Sequence, residues 1–129
     1  MENNVIIKVF QTQDEEETQV LYEGVARLER KENGCILDYR DGKEKTHLDV
    51  SLDSCMMERF KDHETNLCLN VNETSYILVN TEYGVLRLEA ETIGIVLDEQ
   101  VISVQYDIKE GTKIVSTFTI TWLIKEALS

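Results

Sequence analysis

Between residues 101 and 122 the chain reads as two alternating runs, Ile102, Val104, Tyr106, Ile108 and then Ile114, Phe118, Ile120, Trp122, joined around Glu110-Gly111. Successive side chains on a strand point to opposite faces. Each run therefore collects bulky apolar groups on one side and Ser103, Gln105, Asp107 or Thr117, Thr119, Thr121 on the other. This predicts a long β-hairpin with one buried and one solvated face. The same period of two recurs through most of the chain, and no segment has a helical period strong enough to compete. The expected class is all-β, with little or no helix.

Residues 5–12 predict a first strand, with Ile6 and Phe10 on one face and Val5, Ile7 and Val9 on the other. Residues 18–30 alternate as Val20, Tyr22, Gly24, Ala26, Leu28 against Glu23, Arg27, Glu29, and Gly24 predicts the bulge or sharp coil that barrel closure requires. Asn33-Gly34 predicts a type I′ turn, because both residue types tolerate the positive φ needed at its two central positions. Asp41-Gly42 carries the same chemistry ahead of a strand over 44–52, where Thr46, Leu48, Val50 and Leu52 share a face. Further strands are expected over 66–71, 75–81, 85–90 and 93–97, and residues 55–61, where Met56, Met57 and Phe60 fit either a strand or a helical turn, are read as a strand. Roughly ten short strands are too many for one flat sheet of this size. A single closed or nearly closed antiparallel barrel of about 8–10 strands removes the free edges that a proline-free chain leaves unprotected.

Length supports one barrel domain over residues 1–129. Three cysteines, Cys35, Cys55 and Cys68, form no C-x-x-C pair. The odd count, behind an N-terminus without a basic and then apolar leader, predicts reduced thiols in a cytoplasmic protein. No run of about 18 apolar residues occurs, so no membrane span is expected. The net charge of −12, from 25 acidic and 13 basic residues spread along the chain, disfavours nucleic acid and anionic membranes as partners. Its nearest basic group, Arg27, Arg30 and Lys31, is interleaved with Glu29 and Glu32.

Residues able to carry chemistry are scattered. His47 and His63 lack cysteines at metal-ligand spacing, and His47 shares a predicted solvated face with Lys45 and Asp49, so no metal site and no cofactor follow. Each cysteine sits within apolar alternation and is expected to pack as a small buried hydrophobe. Carboxylates are abundant, but an acid–base pair requires environments that split two pKa values, which abundance does not supply. With no nucleophile, metal or phosphate motif, an enzyme is the least supported reading and no catalytic residue is assigned.

The segments Tyr83-Gly84-Val85-Leu86-Arg87-Leu88, Thr92, Ile102-Ser103-Val104-Gln105-Tyr106-Asp107-Ile108 and Thr119-Ile120-Thr121 resemble the YwiB-like family of small bacterial proteins, and Gly24 and Tyr39 fit its N-terminal part. Two positions depart from that pattern: Asn72 stands where glycine is expected, and Val79 where tyrosine is expected. The resemblance implies a calycin-like β-barrel, related in shape to lipocalins, and a domain of unknown function. It brings no catalytic residues.

Faces assigned inward carry Tyr22, Tyr39, Arg59, Tyr76, Tyr106, Phe118 and Trp122, together with Ser116. In a lipocalin-shaped barrel these residues would line a cavity for a small apolar or amphipathic ligand. The same rings also serve as core filling with a polar tip at the rim. Arg59, if it points inward, requires a carboxylate partner or an anionic ligand, because an unpaired buried charge is very costly. Arg87 opposes Leu86 and Leu88 in phase and belongs outside. Two functions follow as expectations. One is a non-enzymatic small-molecule binder. The other is a structural or interaction domain, a homodimer through the outer face of strand one or through Val96 and Val115, with its barrel filled by side chains.

Overall fold

The computed structural model describes the backbone of residues 2–128 and the side chains of residues 3–125. Ten strands follow one another: β1 (Glu2–Gln13), β2 (Gln19–Lys31), β3 (Gly34–Asp41), β4 (Glu44–Ser51), β5 (Ser54–Phe60), β6 (Glu64–Asn70), β7 (Ser75–Thr81), β8 (Gly84–Leu97), β9 (Val101–Glu110) and β10 (Lys113–Leu128). Each pairs antiparallel with its neighbours in the chain, and β1 also pairs with β10, so the meander closes into a barrel. As the alternation predicts, the fold is all-β. Among the described residues there is no helix, and none long and apolar enough to cross a membrane.

The registers arrange the interior in rows that run around the wall. Cys35, Val50, Cys55 and Leu69 face one another across β3 to β6 in the lowest row. Above it Leu28, Leu37, Leu48, Met57, Leu67 and Ile77 run without interruption from β2 to β7. Both rows are apolar, and most of their members are fully buried. The next row is Tyr39, Thr46, Arg59, Thr65 and Val79. There the wall turns polar, and Thr46, Thr65 and Val79 take the places held by bulkier aliphatic residues in the row below. On the opposite wall Tyr22, Val9, Trp122 and Ile102 form a matching row. The core is therefore dense at the end carrying the β2–β3, β4–β5 and β6–β7 turns and thins toward the other end.

Several local expectations are corrected. Gly24 pairs regularly with Ile7, and the bulge in β2 falls at Leu21, which turns Val20 out to solvent. A side chain at Gly24 would meet the Tyr22 hydroxyl, so the residue makes room for that ring. Residues 85–90 and 93–97 belong to one strand, bulged at Ile93. A further bulge at Val115 leaves Ile114 exposed beyond the barrel end. Leu52 lies in the turn after β4 and is exposed, because the strand ends at Ser51. Asp107 lies on the outer face yet is buried, where it accepts a hydrogen bond from the Thr117 hydroxyl at 2.6 Å.

The turns separate two uses of glycine. Gly42 and Gly111 hold φ of 62° and 64° at the first position of two-residue turns, as a type II′ hairpin needs. Asn33-Gly34 does not form the expected I′ turn. Its central residues are Glu32 and Asn33, and neither Asn33 nor Gly34 has positive φ. Gly34 is needed for space: a Cβ there would sit 2.1 Å from the Val50 carbonyl oxygen. Gly34→Ala should therefore cost about 1–3 kcal/mol in urea unfolding, as overpacking against backbone does. Gly94→Ala, with nothing within 4 Å, should stay within about 1 kcal/mol of wild type.

Candidate functional site

The row Tyr39, Thr46, Arg59, Thr65, Val79 leaves the upper barrel unfilled. A cavity of about 360 Å³ opens there, floored by Val9, Leu67, Ile120 and Trp122 and bordered by Tyr106 and Met57. Gln11, Glu44 and the β5–β6 turn residues Lys61, Asp62 and His63 form its rim. Trp122, the only tryptophan, is fully buried, and its indole Nε1 donates to the Tyr39 hydroxyl at 3.0 Å. That bond spans the barrel from β10 to β3. Arg59 Nε donates to Glu44 Oε1 at 2.5 Å, so the inward-facing, half-buried arginine has a carboxylate partner.

A second, larger recess of about 800 Å³ lies against the same wall. It exists because the β2–β3 ladder runs only from Arg27–Asp38 to Lys31–Gly34, which leaves residues 19–26 paired to β1 alone. Into this seam Tyr22 stacks on Tyr39, with ring centroids 4.7 Å apart, and its hydroxyl donates to the Val25 carbonyl at 2.7 Å. Tyr39, Thr46 and Arg59 line both spaces, so these three residues form the partition between them.

Burial dominates the titration of the interior. It raises the Tyr39 and Tyr106 phenols and the Cys35 thiol, and pushes the Cys55 thiol from 9.0 up to about 12. All four stay neutral near pH 7. The charges on the cavity wall proper are those of the Arg59–Glu44 pair.

Of the residues assigned inward, Tyr39, Arg59, Tyr106 and Trp122 border the cavity. Phe118 stacks on Tyr106 at 5.5 Å, and Tyr22 lies at the seam. Tyr76 is a correction. It alternates with buried Ser75 and Ile77 and so stands on the outer face, where the Arg87 guanidinium lies 4.7 Å from its ring centroid. Cys68 is likewise on the outer face beside Tyr76, whereas Cys35 and Cys55 are buried in the barrel. His47 faces outward as expected, its Nδ1 at 2.5 Å from Asp38 Oδ1. Glu44, Thr46 and Thr65 were not assigned to a site. Stepping back two residues from Thr46 along the inward phase of β4 would have found Glu44. No group of three or more metal-binding side chains occurs among the described residues.

The family model described as "Domain of unknown function (DUF1934)" matches residues 4–121. The chain belongs to this family. A crystal structure of the ywiB protein from Bacillus subtilis is similar in fold, with a TM-score of 0.69 and 22% identity over 96% of this chain and 93% of that one. No curated protein matches. The DUF1934 barrel and the ywiB structure thus share an architecture, in line with the resemblance carried by β8 to β10.

The raised Cys55 thiol makes stability depend on pH. Above about pH 9 the unfolded thiol ionises while the buried one keeps its proton up to about 12, so the folded state binds more protons and stability falls as pH rises through that window. One such group contributes a slope of about 1.4 kcal/mol per pH unit. Urea unfolding at pH 8, 9 and 10 should show this decline, and Cys55→Ala should make it shallower, with the raised Cys35 thiol supplying the rest. Equal slopes in the two proteins would contradict the assignment.

Proposed function

We propose that the DUF1934 barrel is a non-enzymatic binder of a small amphipathic molecule held at its open end. The observation that carries this reading is the cavity of about 360 Å³, which falls within the range of small-molecule sites and has the expected make-up of an apolar floor with a few placed polar groups. The ten-stranded up-and-down wall supports it too, since a barrel wider than eight strands leaves interior space that side chains need not fill.

A specific observation favours a second reading, association with another copy. Val20, Phe10, Thr121, Ser103 and Val96 form an uncharged row across the outer face of β2, β1, β10, β9 and β8. Thr12, Thr119, Gln105 and Gly94 form another beside it. In a chain of net charge −12, this is where two copies approach with least repulsion.

Native mass spectrometry of protein purified without denaturation addresses both readings. A monomer that retains a small molecule, or takes up one 1-octanol with a saturable change in Trp122 emission that Val79→Phe abolishes, is the expected result. A dimer with no retained or added ligand, dispersed by Phe10→Glu, would replace the first reading with the second. An empty monomer indifferent to octanol would overturn both.

A further inference from the structure

We infer that the ligand of the upper cavity is an anionic amphiphile whose acidic head group is read by Arg59; this rests on the binding reading above. Arg59 sits in the partition, bordering the apolar cavity on one side and the seam recess on the other. Glu44 engages only its Nε, and among the described residues neither terminal guanidinium nitrogen has a hydrogen-bond partner. The pairing orients the fork without consuming it. Two parallel N–H donors held on a planar group match the geometry of a carboxylate or a phosphate, which a neutral alcohol cannot use in the same way.

The electrostatics of the seam point in the same direction. Among the chain's fully charged residues acids outnumber bases by 25 to 13, yet the recess is lined by four basic side chains, Arg27, Arg40, Lys45 and Arg59, against three acidic ones. Counting Glu44, which pairs with Arg59, the place is balanced at four bases and four acids, and a balanced patch on a strongly acidic chain lowers the cost of bringing an anion there. The neighbouring partition groups add hydroxyls: Tyr39, which accepts from Trp122, and Thr46, which is itself hydrogen-bonded to Tyr39. Below them the floor is apolar, with Trp122, Ile120 and Leu67 suited to a short hydrocarbon body. A cavity of about 360 Å³ sets the scale of that body at a medium-length chain or one substituted ring.

The test compares octanoate with 1-octanol on the full chain, read by Trp122 emission and by calorimetry. The inference expects octanoate to bind at least about tenfold more tightly than octanol, the difference that one or two hydrogen bonds to a charged group supply. It also expects the double variant Arg59→Gln/Glu44→Gln, which removes both charges together, to lose that preference while still binding octanol saturably. Retained octanol binding shows that the variant is folded. Equal affinity for the two probes, or an undiminished octanoate preference in the double variant, would overturn the head-group assignment and leave the binding reading standing. Failure of the wild-type chain to bind either probe would overturn both.

Discussion

The ladder between β1 and β10 joins opposite ends of the chain, pairing Ile7 with Ile124 and Val9 with Trp122. Its closure is costly in entropy, since nearly the whole chain forms the intervening loop, and it is compensated by what it brings together. Val5, Ile7 and Val9 turn inward along β1, and Ile120, Trp122 and Ile124 along β10, all of them buried. Without this pairing β1 and β10 would present two long unpaired edges in a chain that has no proline to blunt them. Trp122 does more than fill space: its hydrogen bond to Tyr39 ties the closing strand to the wall across the barrel. The site's floor and partition are thus set by the same contact that closes the fold.

Stability and the cavity occupy different rows. The Cys35 to Leu69 and Leu28 to Ile77 rows bury apolar side chains worth roughly 1.5–3 kcal/mol each where burial is complete. The row above them carries Thr46, Arg59 and Thr65, which contribute little of that kind. The Arg59–Glu44 pair is itself partly open to water, so it is a weak source of stability. A row of charged and short side chains is tolerated there because the rows beneath supply the core, and the unfilled volume is the consequence.

The fold was legible because strand alternation depends only on which residues are bulky and apolar, and that information is local. Residues 101–110 alternated cleanly and became β9 with the expected inner face. The failures came from register, which is not local. Bulges at Leu21, Ile93 and Val115 reverse the phase at Val20 and Ile114, and no residue type at those positions announces them. Gly24 and Gly34 looked like turn or bulge signals, but each is small because a neighbour, the Tyr22 ring or the Val50 carbonyl, occupies its space. Tyr39, Arg59, Tyr106 and Trp122 could be named as lining residues, whereas Tyr76 was placed on the wrong face by a single step of phase. That a cavity exists at one end rather than along the barrel follows from which rows align across strands, and only the assembled registers show it.

The central claim is that the upper barrel holds an acid-bearing ligand between Trp122 and Arg59. A crystal structure of the protein grown with decanoate tests it most directly. The account predicts an extended chain of density resting on Trp122 and Ile120, with the carboxylate within hydrogen-bonding distance of Arg59 and the Tyr39–Trp122 bond intact. A cavity collapsed onto its own side chains, or a decanoate bound only on the outer face, would contradict it.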